Sequence, residues 1–69
     1  MKGIVAGNLK EAEACAKKLG LEDWFYVANL RSIGHAKRYI LTGSYESHKE
    51  WEAIYARLFA LNKELEVVH

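Results

Sequence analysis

The chain has 69 residues, of which 51% are apolar and 28% are charged. A chain of this length buries only about 60% of its unfolded surface, so it has room for one domain, residues 1–69, with a small core. The composition is that of a folded chain and excludes disorder. The formal charge of +1 gives no general attraction to nucleic acid or to anionic membranes.

The cysteine and histidine content is low. Cys15 cannot form an intramolecular disulfide, and one cysteine with three scattered histidines does not give a zinc-finger spacing. There is no run of 18 uncharged apolar residues, and the first residues lack the apolar stretch of a signal peptide. We therefore expect a soluble, cytoplasmic protein with no membrane span, no metal and no cofactor.

Three apolar runs predict β-strands, at residues 3–7, 24–28 and 39–43. None of them alternates polar with apolar residues, as expected of strands that are covered on both faces. The first run has the smallest residues, so we place it at the centre of the sheet.

A helix is predicted between the first two strands. Asn8 and Glu11 have the spacing of a capping box, and Gly20 provides a left-handed end. A strand, a helix and a second strand within about 28 residues predict parallel pairing with a right-handed crossover. The buried face of this helix is predicted to hold Ala12, Cys15, Ala16 and Leu19.

Residues 29–38 are polar and interrupted by glycine, so they are predicted to be a connecting loop. The loop length leaves open whether the third strand is parallel or antiparallel, and its apolar run favours the parallel arrangement. A second helix is predicted over residues 48–65, after a capping box at Ser47 and Glu50. Such a helix is about 27 Å long and overhangs strands of about 17 Å. Residues 66–69 can fray, continue this helix or add an edge strand.

These elements predict an α/β fold in the order strand, helix, strand, strand, helix. The sheet is small, three-stranded and mostly parallel, as in a Rossmann-like fragment, and the fold has two or three layers depending on whether both helices share a face.

Ligands of open parallel sheets bind at the carboxyl ends of the strands. At these ends a glycine lets a ligand approach the backbone closely, serine and threonine hydroxyl groups can bond its phosphate or ribose, and an arginine can bind its negative charge. This pattern predicts a nucleotide or anion site, with the alternative that the same residues are only turns and caps. No phosphate-loop or dinucleotide-binding glycine motif is present. The candidate ligand residues are Gly7, Asn8, Arg31, Thr42, Gly43 and Ser44.

Catalysis is not predicted. His35, His48 and His69 are the candidates for acid or base chemistry. His69 is the last residue, and His48 is expected to be exposed in the first turn of the second helix, without a buried carboxylate partner. His35 lies in a loop, but no serine or cysteine lies at a nucleophile spacing from it. A local basic loop is formed by Arg31, His35, Lys37 and Arg38. Contact with nucleic acid is an alternative that the acidic second half of the chain disfavours.

The second predicted helix has two apolar stripes. A heptad-like stripe runs from Trp51 to Val68, and Tyr55 and Phe59 lie beside it. One small sheet cannot cover both stripes, which predicts a non-enzymatic interaction protein that forms a homodimer or binds a protein partner. The alternative is that all these residues belong to one core. The predicted interface consists of Tyr55, Phe59, Asn62 and Leu65.

Four short motifs carry a family resemblance over residues 4–58: Leu19-Gly20-Leu21, Trp24-x-Tyr26-Val27, Leu30-Arg31 and Thr42-Gly43-Ser44. With them the chain resembles small α/β proteins of unknown function encoded by phages of actinobacteria. Ser32-Ile33-Gly34 departs from that pattern, because its glycine comes later than in the Leu-Arg-Gly turn of the group. The resemblance implies a viral protein that binds a host factor in the host cytoplasm.

Overall fold

The computed structural model describes residues 1–34 and 36–68, so His35 and His69 lie outside the described residues. The sheet has the order β2-β1-β3-β4 and every pair in it is parallel. The protein is thus a small α/β protein with two α-helices and a four-stranded parallel sheet. Single 3₁₀ turns lie at Leu30–Ser32 and Tyr45–Ser47. The main elements are β1 (Lys2–Val5), α1 (Leu9–Leu19), β2 (Trp24–Tyr26), β3 (Arg38–Thr42), α2 (Trp51–Ala60) and β4 (Glu64–Val68).

The first half of the chain folds as its local signals predict, except that Leu19, expected on the buried face of α1, is 40% exposed because it is the last residue of the helix. The Asn8 side chain accepts a hydrogen bond from the Glu11 N–H at 2.9 Å and caps α1. At the other end, Gly20 has a φ of 67° and the Leu21 N–H donates to the Ala16 carbonyl at 2.9 Å, which is a Schellman ending. The third predicted strand is parallel, and β1 lies inside the sheet, as expected.

The fourth strand corrects the prediction of three strands and of a helix over residues 48–65. α2 ends at Ala60, because Asn62 adopts the left-handed conformation with a φ of 56°. The Lys63 N–H donates to the Leu58 carbonyl and the Asn62 N–H to the Phe59 carbonyl, both at 3.1 Å. This is a Schellman motif with asparagine in place of glycine. At ten residues α2 is about 15 Å long, so the predicted overhang does not exist.

The start of α2 also differs from the prediction. Ser47 ends a 3₁₀ turn, and α2 begins four residues later at Trp51, with Glu50 preceding it and making no side-chain cap. The expected capping box of Ser47 and Glu50 is therefore wrong. His48, expected to be exposed, is only 6% exposed.

The two helices lie on opposite faces of the sheet. β2 lies beside β1 on one side and β4 lies beside β3 on the other, and right-handed crossovers in opposite directions require helices on opposite faces. Two separate core clusters match this three-layer arrangement. The α1 side contains Ile4, Ala6, Ala12, Cys15, Ala16 and Ile40. The α2 side contains Val5, Val27, Ala36, Tyr39, Leu41, Ile54 and Leu58.

Tyr39 anchors the connection between β2 and β3. Its side chain is fully buried, and its hydroxyl accepts hydrogen bonds from the Gly34 N–H at 2.8 Å and the Ala36 N–H at 3.3 Å. These bonds hold the backbone at Gly34 and at Ala36 against the sheet. Within residues 1–34 and 36–68, neither helix has the length and apolar character that crossing a bilayer requires.

Candidate functional site

The predicted ligand site lies where the connections from two neighbouring strands diverge. β1 leads into α1 on one face of the sheet, and β3 leads toward α2 on the other face. Divergence of this kind opens a crevice at the carboxyl ends of the strands. Gly7 follows β1, and Gly43 and Ser44 follow β3, so the backbone of both strand ends faces this crevice.

The carboxylate of Glu11 fills the crevice. Its Oε1 atom accepts hydrogen bonds from the Gly7 N–H at 2.9 Å and from the Ser44 hydroxyl at 2.8 Å. The Ser44 N–H donates to Oε1 at 3.2 Å and to Oε2 at 3.3 Å. Three donors from two strand ends thus converge on one anionic group of the protein itself.

Glycine is required on both sides of this carboxylate. A Cβ atom on Gly7 would collide with the Ser44 hydroxyl. A Cβ atom on Gly43 would lie 2.7 Å from Glu11 Cδ, and Gly43 also has a left-handed φ of 58°. The strand ends therefore come close enough to hold a carboxylate because neither residue has a side chain.

The hydrogen bonds favour the ionised form of Glu11. The Ser44 hydroxyl makes the largest contribution to lowering the Glu11 pKa, followed by the N–H groups of Ser44 and Gly7, while burial opposes them. Burial raises the pKa of nearby Tyr26, and the negative charge of Glu11 adds to this rise. The Tyr26 hydroxyl donates to the Ala6 carbonyl at 3.5 Å. At neutral pH the site therefore contains a carboxylate beside a neutral phenol.

The other predicted ligand residues do not converge in the same way. Asn8 caps α1, and Thr42 is a buried residue at the end of β3. Arg31 lies on the exposed 3₁₀ turn after β2, where its N–H bonds the Asn29 side chain at 2.9 Å. The sequence indicated that Glu11 reaches back toward the start of α1, and it predicted Ser44 at the crevice as a ligand residue. It did not indicate that Ser44, 33 residues away, is the partner of Glu11.

His48 has a structural position beside this site. Its Nδ1 atom accepts a hydrogen bond from the Glu50 N–H at 3.0 Å. Nε2 therefore carries the ring proton and donates to the Val27 carbonyl at 2.9 Å. The ring lies 6.1 Å from that of Tyr26. The Nδ1 bond lies within the loop before α2, and the Nε2 bond joins this loop to the end of β2.

A second candidate site is the outward face of α2. Phe59 is 76% exposed and Tyr55 is 48% exposed, and Tyr55 lies 5.4 Å from the ring of Trp51. We define the α2 outer face as the seven exposed residues of this helix, Glu52, Ala53, Tyr55, Ala56, Arg57, Phe59 and Ala60.

The structure divides the predicted interface between three elements. Tyr55 and Phe59 lie on the α2 outer face, as their spacing indicated. Asn62 lies in the turn after α2, and Leu65 lies in β4 rather than on the helix. Leu65 is 39% exposed. The heptad-like spacing from Trp51 to Leu65 therefore does not describe one helical surface.

No family model matches the chain, and neither curated proteins nor solved structures show significant similarity to it. In the part of the chain that the structure describes, no three His, Cys, Asp or Glu side chains are grouped so that they could hold a metal ion.

Proposed function

We propose that the protein is a non-enzymatic interaction module that self-associates through the α2 outer face. One observation carries the proposal: five of the seven residues on this exposed face are apolar. The outward face of a surface helix is normally polar, and helices that are apolar all round are buried. Because Ile54 and Leu58 already fill the inner side of α2, the apolar outer face points to a second contact.

A second copy of the chain fits the composition of this face. Two-fold contacts bring the same surface of both subunits together, so the surface must be complementary to itself. The α2 outer face has both large rings, Tyr55 and Phe59, and small residues that a ring can cover, Ala56 among them. An antiparallel pairing centred near Tyr55 also brings Glu52 of each copy toward Arg57 of the other.

Light scattering over a hundredfold concentration range tests the proposal. We expect a wild-type dimer of about twice the 7.9 kDa chain mass. Phe59→Ala is expected to give a monomer with an unchanged circular dichroism spectrum, because Phe59 is the most exposed of the large apolar residues. Leu9→Ala is the matched control, since Leu9 is a 48% exposed apolar residue on the other helix.

Two results would refute self-association by this face. One is a wild-type protein that is monomeric at every concentration. The other is a Phe59→Ala variant that remains as dimeric as the Leu9→Ala control. A host protein, the partner that the phage resemblance implies, is then the alternative occupant of the α2 outer face. As expected from the sequence, we also propose that the protein acts in the cytoplasm.

The alternative function, binding of a nucleotide or anion, has weaker support. The strand order β2-β1-β3-β4 is compatible with our inference of a Rossmann-like fragment, in which such ligands bind at the strand ends. However, Glu11 occupies the donors of Gly7 and Ser44 and adds negative charge where a phosphate would bind. Thermal unfolding with a nucleotide panel tests this alternative, and a shift in the wild-type melting temperature would support it.

A further inference from the structure

β4 forms an open edge of the sheet. It pairs with β3 on one side, and no described strand lies on its other side. The Glu64 N–H donates to the Lys37 carbonyl at 3.0 Å, so residues 64, 66 and 68 direct their backbone groups toward β3. By the alternation of a strand, Leu65 and Val67 direct their N–H and C=O groups outward. These two residues offer four backbone groups to an added strand.

The two faces of this edge differ in chemistry. Leu65 and Val67 lie on the α2 side of the sheet and are 39% and 47% exposed. Glu64 and Glu66 lie on the α1 side, in register with Arg38 and Ile40. We call the strand Glu64–Val68, with its outward backbone groups, the β4 edge.

The β4 edge has an unpaired negative charge near its centre. The Glu64 carboxylate bonds Arg38 Nε at 2.7 Å in an exposed ion pair that offsets part of its charge. Glu66 is exposed, and within residues 1–34 and 36–68 it has no ion-pair partner. An incoming strand therefore meets one unpaired carboxylate, that of Glu66, on the α1 side and two aliphatic side chains on the α2 side.

Self-pairing of this edge is unfavourable. Two copies related by a two-fold axis must pair antiparallel, with residues of the same face opposite one another. The register that pairs all five residues places Glu66 opposite Glu66 of the other copy. The register centred on Leu65 places Glu64 opposite Glu66. Like charges directly opposite one another destabilise a strand pair. The register centred on Val67 avoids such a pair, but within the described part of β4 it joins only residues 66–68. A second copy is therefore not the occupant that this edge favours.

We propose that the β4 edge binds an extended basic segment of another protein by strand addition. The segment bonds the backbone of Leu65 and Val67, places lysine or arginine opposite Glu66, and places aliphatic residues over Leu65 and Val67. This contact is separate from the α2 outer face, and it does not depend on self-association there.

Three labelled seven-residue peptides test the proposal by fluorescence anisotropy. The first alternates valine with lysine, the second alternates valine with glutamate, and the third is the lysine peptide with proline in place of its central valine. We expect the lysine peptide to bind about twofold to fivefold more tightly than the glutamate peptide, since one pair of opposite charges on neighbouring strands contributes a factor of roughly 1.4 to 5. The proline peptide is expected to bind weakly, because it lacks the central N–H.

A charge reversal locates the contact. Glu66→Lys is expected to reverse the preference, so that the glutamate peptide binds more tightly. Glu22→Lys makes the same charge change at an exposed residue before β2, at the opposite edge of the sheet, and is expected to leave the preference unchanged. Addition of the lysine peptide is expected to shift the amide NMR signals of Leu65 and Val67.

Four results would overturn the proposal. The first is that the lysine peptide does not bind. The second is that it binds no more tightly than the proline peptide, which would indicate charge attraction without strand addition. The third is that Glu22→Lys reverses the preference as strongly as Glu66→Lys, which would indicate an effect of net charge alone. The fourth is that, in the absence of peptide, the amide signals of Leu65 and Val67 shift with protein concentration, which would assign the edge to a second copy.

Discussion

Replacing Tyr39 with phenylalanine tests how the connection between β2 and β3 is held. The substitution removes one oxygen that accepts two hydrogen bonds, from the N–H groups of Gly34 and Ala36. It keeps the ring, which is fully buried and meets Phe25 edge to face at 6.2 Å. The change in the free energy of unfolding therefore measures the contribution of the hydroxyl group and not that of the packing of the ring.

The expected cost follows from the surroundings of the two donors. Ala36 is buried, and a buried N–H without a partner costs about 1–3 kcal/mol. Gly34 is exposed, so water can replace its lost acceptor at little cost. We expect Tyr39→Phe to lower the free energy of unfolding by about 2 kcal/mol. The total for a chain of this size is about 3–10 kcal/mol.

Urea unfolding followed by tryptophan fluorescence measures this loss directly. In a thermal melt, a loss of about 2 kcal/mol corresponds to a melting temperature that is lower by roughly 8–16 °C. Tyr55→Phe is the control, because the Tyr55 side chain is 48% exposed and its change is expected to stay within about 0.5 kcal/mol. If Tyr39→Phe is as stable as this control, the two hydrogen bonds do not hold the connection and the reasoning fails.

Three further predictions concern Glu11 and His48. Because the folded state lowers the Glu11 pKa from its usual value of 4.5, this carboxylate stabilises the fold above pH 4.5, and the stability is lost as pH falls through the lower folded-state pKa. Glu11→Gln should remove that part of the pH dependence in thermal melts from pH 7 to 3, whereas Glu13→Gln should retain it. Glu11→Ala leaves the three donors of Gly7 and Ser44 without an acceptor, so phosphate should raise the melting temperature of this variant more than that of the wild type. An equal rise in both proteins would contradict the view that the Glu11 carboxylate occupies an anion site. Finally, ¹⁵N ring shifts at neutral pH should show the His48 tautomer protonated at Nε2, because Nδ1 accepts from Glu50 and Nε2 donates to Val27; the Nδ1 tautomer would rule out both hydrogen bonds.

Local signals were sufficient for the first half of the fold. The cap at Asn8, the left-handed Gly20 and the apolar face of α1 act within one helix, over separations of three to five residues. These signals lie within one short segment, so they can be recognised without knowing which strands pair. The parallel pairing of β1 with β2 then follows from the helix between them, since a crossover connection is needed to join parallel strands.

The end of the chain could not be assigned from its sequence. Leu61, Leu65 and Val68 have the spacing of a helix, while residues 64–67 also alternate polar and apolar side chains as an edge strand does. Only the free edge of β3 decides between these alternatives, because pairing with it satisfies the backbone groups of β4. A helix over the same residues would leave that edge open.

The sequence by itself determined the α/β class, the parallel pairing of the first two strands, and α1 with both its ends. It favoured, without deciding, a parallel third strand and an outward position for Tyr55 and Phe59. Tertiary structure alone decided the fourth strand, the burial of His48 and the contents of the crevice. Glu11 and Ser44 are 33 residues apart in the chain, and they meet only because β1 and β3 are neighbours in the sheet. Contacts of this kind depend on which strands pair, and no local propensity encodes that choice.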